Sequence, residues 1–245
     1  MKIKYNLKYS NPAYKDLVKN IDKLFEDSPE LLFSGRNQLK IVRFNNENFV
    51  VKSFKRPNII RSYIYNNILK SKAEKSFDNS TICLQKNIDT PQPIGFLCIA
   101  KNFKLSNSFF VSSQFEYDFD LNTVFEDFHN YKNIVRDFIS FVFNMHENNV
   151  YHHDLTRGNI LVSKQSNKTQ LKVVDTNRMS FLKMNLEMRM ESLSKISNNH
   201  EELNFIAKYY SDISKFDIKD CKKLIFKGFN KSQNYKKAKK ILRGK

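Results

Sequence analysis

The sequence predicts an α+β fold in two lobes: an N-terminal lobe built on an antiparallel sheet with one main helix, and a mainly helical C-terminal lobe. Three observations predict it. Three short β-rich runs follow one another between residues 31 and 54, and two more strand-like runs come after a helical stretch. A long amphipathic segment at 131–147 opens a second half that reads mostly as helix. Between the halves lies the polar, acidic stretch EYDFDLNTVF. It sets the expected boundary, with an N-lobe over 1–116 and a C-lobe over 117–245, one domain overall.

Each element has a local reason. Residues 1–30 carry no clear strand signal and read as helical or irregular. LLFSG (31–35), LKIVRF (39–44) and NFVVKSF (48–54) are rich in β-branched and aromatic residues and are separated by short polar breaks, as in an antiparallel meander. RPN (56–58) ends the meander. From Ile59 to Gln85 the pattern is helical, in one or two pieces. TPQPIGF (90–96) is a turn leading into a strand, and FFVSSQF (109–115) is another strand. In 131–147 the apolar residues Ile134, Val135, Phe138, Phe141, Val142 and Met145 recur at helical spacing and mark a core-facing helix. Residues 185–245 are helical and increasingly basic.

With 245 residues, 40% of them hydrophobic and including 22 Phe and 11 Tyr, the chain buries a real core and is not disordered. Cys83, Cys98 and Cys221 are widely spaced and odd in number; they form no metal-ligand pattern or disulfide framework and imply a reducing compartment. The N-terminus lacks the apolar segment of a signal peptide, and no stretch approaches the ~20 apolar residues of a membrane span. A cytoplasmic protein, soluble or peripheral, is therefore expected. The formal charge is +17, from 42 Lys and Arg against 25 Asp and Glu. That predicts attraction to nucleic acid, anionic headgroups or a phosphorylated substrate, although a solvated basic surface is the plainer reading. No base-reading motif is present, so no specific nucleic-acid partner is expected.

The densest chemistry lies in YHHDLTRGNILV (151–162). NILV (159–162) and LKVV (171–174) flank a polar turn, SKQSNKTQ. Paired as an antiparallel hairpin, they bring Asn159 and Asp175 to the same open end. Asp154 sits on the loop that feeds the first strand. Asn159 and Asp175 offer hard oxygen ligands of the kind Mg²⁺ takes beside phosphate oxygens and water. Asp154 is then available to accept a proton from a hydroxyl.

This constellation resembles the protein-kinase-like fold. The catalytic-loop pattern H-R-D-L-x-x-x-N is met by His152-His153-Asp154-Leu155 and Asn159, with His153 in place of Arg. Asp175-Thr176-Asn177 stands at the D-F-G position, and Val50-Val51-Lys52 matches the strand lysine of V-A-I-K. SGRNQLKIV, NFVVKSFKRPN, SKAEKSFDNS, IDTPQPIGF, HHDLTRGNIL and VVDTNRMSF are more similar to the lipopolysaccharide core kinases, the Kdo/WaaP family, over residues 31–181.

The resemblance implies a kinase that uses ATP and Mg²⁺. Asp154 would orient or deprotonate the acceptor hydroxyl, Asn159 and Asp175 would hold the metal, and Lys52 would neutralise the ATP phosphates. It also implies an acidic partner for Lys52 on the following helix, either Glu74 or Asp78, with Asp78 nearer the family's acidic position. The glycine-rich loop is reduced to Gly35, with Arg36 beside it to add charge. Arg157 and Arg178 are further candidates to meet phosphate or an acidic sugar, and His153 to touch substrate; His152 is expected to pack the loop. The implied acceptor is a hydroxyl of a lipid-linked, acidic inner-core sugar, Kdo or heptose. It would be met peripherally at the anionic inner face of the cytoplasmic membrane of a Gram-negative bacterium. An atypical RIO-like Ser/Thr kinase or an aminoglycoside/choline-type phosphotransferase carries related motifs, and a pseudokinase or basic nucleic-acid-binding module is the non-enzymatic alternative. The oligomeric state is not legible.

Overall fold

The computed structural model describes residues 1–6, 8, 11–56, 58, 60, 62, 64–65, 68–165 and 168–242. Pro57 of RPN, Ile59 at the expected helix start, Ser166 and Asn167 of the hairpin turn and the final residues 243–245 of the basic tail lie outside them. The chain divides into two compact units. One comprises Met1–Glu116 together with Asp175–Arg178; the other comprises Tyr117–Val174 and Met179–Lys245.

The first unit is a six-stranded antiparallel sheet with helices on both faces. Its strands are β1 (Lys2–Tyr5), β2 (Leu31–Ser34), β3 (Gln38–Phe44), β4 (Glu47–Ser53), β5 (Pro93–Lys101) and β6 (Lys104–Ser113), in the order β1-β5-β6-β4-β3-β2. The meander β2–β3–β4 lies where the sequence indicates. The expectation for residues 1–30 is corrected at its start: KIKY is a strand, held by pairing with β5 from Lys2↔Cys98 to Tyr5↔Gly95. That pairing needs a glycine. A Cβ on Gly95 would lie 2.7 Å from the Lys4 carbonyl oxygen and 2.8 Å from a Val18 methyl.

The period-2 alternation of β4 sorts its side chains onto the two faces. Phe49 and Val51 enter a core with Leu17, Val18, Ile21 and Phe25 of α1 (Pro12–Lys19) and α2 (Ile21–Asp27). Val50, Lys52 and then Phe54 fall on the opposite face. Phe54 packs there with Ala73 and Phe77 of α3 (Lys72–Gln85) and with Phe96, Cys98 and Leu105 of the sheet. Ser71 caps α3 by accepting from the Glu74 amide at 3.1 Å.

The second unit is mainly helical, with α4 (Leu121–Glu126), α5 (Lys132–Glu147), α6 (Leu186–Leu193), α7 (His200–Ser214) and α8 (Ile218–Leu242). The apolar stripe of α5 is buried through Ile134, Val135, Phe138, Val142 and Met145, with Ile139 beside them, whereas Phe141 of the predicted stripe is only half-buried. His146 lies on the same face, 2% exposed, and its ring nitrogens meet the Tyr210 hydroxyl at 2.9 Å and Ser192 Oγ at 3.1 Å. Burial, reinforced by Arg189, lowers its pKa to about 3, so it is a neutral core residue. A hairpin of β9 (Ile160–Gln165) and β10 (Lys168–Val173) is extended by β7 (Phe119–Asp120), and β8 (Val150–His152) pairs with β11 (Met179–Phe181). All three cysteines are buried.

Candidate active site

In the first unit the site is built around Lys52. Its strand lies between β3 and β6, with Lys52 opposite Leu39 and Phe110. The side chain emerges on the α3 face, its ammonium 5.4 Å from the centre of the Phe54 ring. It donates to Asp175 Oδ1. Both partners are mostly buried, with side-chain exposures of 16% and 19%. Each charge therefore depends on the other, because an unpaired ion at that depth is costly.

The Asp175 turn is held by polar contacts to α3. Asp175 itself is left-handed, with φ 58°, a conformation aspartate tolerates better than most residues. Its carboxylate also accepts from Asn177 Nδ2 at 2.7 Å and has Arg178 Nε at 3.8 Å. Thr176 is 3% exposed. Its hydroxyl donates to the Ser76 carbonyl at 3.1 Å and shares a hydrogen bond with Ser80 Oγ at 2.9 Å, while its own carbonyl accepts from Asn79 Nδ2 at 2.7 Å. The residue following the aspartate is thus a buried polar clasp on α3.

Several cations gather on this side. Lys72, at the first turn of α3, has its pKa lowered by burial and then by Arg36, Arg178 and Lys52, with Asp175 opposing. Arg36 is exposed beside Gly35, whose amide donates to the Asn37 carbonyl at 3.1 Å.

In the second unit the loop from His152 to Asn159 closes on itself. Asn159 Nδ2 donates to the Asp154 carbonyl at 2.8 Å, which leaves Asn159 Oδ1 as the acceptor end of the amide. The Asp154 amide donates to His152 Nδ1 at 3.1 Å, so His152 carries its proton on Nε2, 3.2 Å from the Val174 carbonyl. His152 is buried and His153 is exposed. His153 Nε2 lies 2.7 Å from Ser180 Oγ; burial and then Lys195 lower its pKa. The hairpin register pairs Ile160 with Val173, and the Val174 amide donates to the Asn159 carbonyl at 2.9 Å. Asn159 therefore stands at the open hairpin end, opposite the residue that precedes Asp175 in the chain.

Two expectations are corrected. Neither Glu74 nor Asp78 meets Lys52. Glu74 bonds Lys2 at 2.6 Å, and Asp78 bonds Lys4 at 2.9 Å and Lys70 at 2.5 Å. The physical reason is β1: it carries Lys2 and Lys4 in alternation along α3, and these lysines take the helix acids. Arg157 is tied into the fold. Its guanidinium stacks 4.1 Å from the Phe125 ring centre, donates to Glu202 at 2.7 Å and donates to the Ile196 carbonyl at 2.6 Å, anchoring the loop between Asp154 and Asn159. Sequence reasoning missed the clasp residues Ser76, Asn79 and Ser80. Their signal was present in SFDNS, where positions three and four apart share a helical face.

The fold, the strand lysine and the H-x-D-x-x-x-x-N loop define a phosphotransferase of the protein-kinase-like class. A sequence profile of the lipopolysaccharide kinase (Kdo/WaaP) family matches residues 44–220, and the chain belongs to that family. It is thus a lipopolysaccharide kinase, a phosphotransferase that takes a sugar hydroxyl as acceptor. The fold is shared with the solved structure of WaaP in complex with acyl carrier protein, at a TM-score of 0.65 and 12% sequence identity, over 96% of this chain and 99% of that one. No curated protein matches the chain in sequence.

Proposed function

We propose that the protein transfers the γ-phosphate of ATP, with Mg²⁺, to a hydroxyl of a lipopolysaccharide inner-core sugar, Kdo or heptose. The observation that carries this reading is the ion pair between Lys52 on an inner strand and Asp175 in a clasped left-handed turn. In a kinase nucleotide site the strand lysine serves the phosphates and a separate aspartate serves the metal; Lys52 and Asp175 are the candidates for these two parts, and here they lie side by side. Lys52 would engage the ATP phosphates, with Arg36 at the β2–β3 turn adding a charge; the Gly35 amide beside it is bonded to the Asn37 carbonyl, so Gly35 would serve only by letting the turn approach closely. Asp154 would orient or deprotonate the acceptor hydroxyl.

The donor set fits the metal. Among the described residues no group of three or more His, Cys, Asp or Glu could hold an ion. Mg²⁺ asks for less than that: it retains water and takes one or two carboxylates plus substrate phosphate. Asp175 and the Oδ1 end of Asn159 would hold it, and it would neutralise charge on the transferred phosphoryl group.

Among the described residues no helix is long and apolar enough to cross a membrane. Binding to anionic headgroups would instead rest on α8, which exposes Lys222, Lys223, Lys236 and Lys237. The deciding experiment is ATP consumption by the pure protein with Kdo–lipid A, with a heptosylated acceptor and with neither, followed by mass spectrometry of the product. Consumption that needs an acceptor and adds one phosphate to it is the expected result. Acceptor-independent turnover, or none with either acceptor, rejects the assignment.

A further inference from the structure

The first unit holds a cavity of about 380 Å³, of whose described lining the roles above use Arg36 alone. Four cations line it: Arg36 from the β2–β3 turn, Lys55 and Arg56 just after β4, and Lys72 at the start of α3. Phe54 and Tyr65 add aromatic surface. No carboxylate is among the described lining residues. The acids nearest in sequence to Lys72 on its own helix, Glu74 and Asp78, are bonded to Lys2, Lys4 and Lys70. Burial lowers the pKa of Lys72; of the cations that add to this, Arg36 shares the cavity with it, while Arg178 and Lys52 lie outside the lining and Asp175 opposes them. Like charges around a shared hollow raise one another's energy, and an anion placed among them relieves it.

We propose that this cavity binds an anionic substituent, phosphate or carboxylate, carried by the sugar acceptor. The inference rests on the kinase reading above and names how the acceptor is recognised. Three observations favour the acceptor over the nucleotide. Lys52 and Asp175, which would manage the nucleotide phosphates and metal, do not line the cavity. The volume lies within the roughly 300–1,000 Å³ of small-molecule pockets, more than one phosphate group requires. The wall combines cations with Phe54 and Tyr65, and aromatic faces suit the apolar face of a sugar ring as they do not suit a bare triphosphate. Arg36, Arg56 and Lys55 reach inward from the exposed surface and supply charge-assisted hydrogen bonds.

The test is calorimetric titration of the full chain, saturated with Mg²⁺ and a non-hydrolysable ATP analogue, using glucose 6-phosphate, glucuronate and glucose as probes. The two anionic sugars separate phosphate from carboxylate recognition, and glucose is the uncharged control. At least one anionic sugar is expected to bind the saturated protein, and glucose to bind much more weakly. The double variant Arg56→Ala/Lys72→Ala should lose roughly tenfold or more of that affinity, and the single variant Arg56→Glu should lose as much. Both should keep nucleotide affinity within a few-fold.

Competition between the analogue and the anionic sugars, or loss of nucleotide affinity in the double variant, assigns the cavity to the nucleotide and overturns the proposal. Equal anion binding by wild type and variants, equal binding of glucose, or no anionic sugar bound at all also overturns it. The nucleotide reading is judged separately on Lys52→Ala. If neither that variant nor the wild type binds nucleotide, the kinase assignment of Lys52 fails while sugar binding still reports on the cavity.

Discussion

Replacing Thr176 with valine removes one hydroxyl and keeps the shape, so it isolates the clasp between the Asp175 turn and α3. The hydroxyl takes part in two hydrogen bonds, to Ser80 Oγ at 2.9 Å and to the Ser76 carbonyl at 3.1 Å. Each is worth about 0.5–1.5 kcal/mol net, which sets the loss at about 1–3 kcal/mol. The lower half of that range applies if Ser80 turns back to a carbonyl of its own helix, as serines in helices do. In a chain of this length each kcal/mol lowers the melting temperature by roughly 2–4 °C. The sharper readout is a double-mutant cycle with Ser80→Ala. The two side chains share one bond, so the cycle should show a coupling of about 1 kcal/mol. The turn also presents Asp175, so Thr176→Val should weaken Mg²⁺-dependent nucleotide binding while Thr176→Phe, forced into a 3% exposed polar site, should destabilise further. Unchanged melting together with zero coupling would refute the clasp and leave the threonine at this position without a physical account.

Three further outcomes follow from the same contacts. Asp154→Ala should lose turnover by ~10²–10⁴-fold and keep ATP affinity within a few-fold, whereas Lys52→Ala should weaken both; calorimetry and turnover measured on both variants would expose reversed roles. His146 has a folded pKa of about 3 against an ordinary 6.5, so the unfolded chain binds a proton that the folded chain refuses. Its contribution is complete above about pH 6.5 and is lost as pH falls toward 3, at up to about 1.4 kcal/mol per pH unit. Denaturant titrations of wild type and His146→Gln should diverge in slope across that window, and parallel slopes would rule His146 out as the source. Sedimentation with anionic vesicles should fall steeply with salt and fall again when Lys222, Lys223, Lys236 and Lys237 become glutamine; equal binding to neutral vesicles would show that charge is not the driver.

The parts of this chain that announce themselves are those whose reason is local. The three β-rich runs at 31–54, the apolar stripe of α5 and the hairpin that begins at Ile160 depend on alternation or helical spacing within a short window, and they form where that spacing puts them. KIKY is the opposite case. Four alternating residues are too few to mark a strand, and β1 exists because the edge of β5 is available and Gly95 lets it approach. That omission spread to the site. Glu74 and Asp78 looked available to Lys52 only because the strand that brings Lys2 and Lys4 to them was not legible. Arg157 misled for a related reason: its partners Phe125, Ile196 and Glu202 are distant in sequence, so nothing local marks it as internal.

These redirected pairings change what the charge of the protein means. A net +17 spread over a lysine-rich surface would attract any polyanion weakly and would vanish into salt screening. The first unit does something more specific. Its β1 lysines, with Lys70, draw off the two acids of α3, and Asp175 is committed to Lys52 with Arg178 beside it. Arg36, Lys55, Arg56 and Lys72 then face one cavity with no carboxylate among its described lining residues. The local excess is set by where the few acids are spent, not by how many lysines the chain carries. Removing a distant surface lysine should therefore leave anion binding in the cavity unchanged. Adding a carboxylate to the lining itself by Asn58→Asp should weaken it.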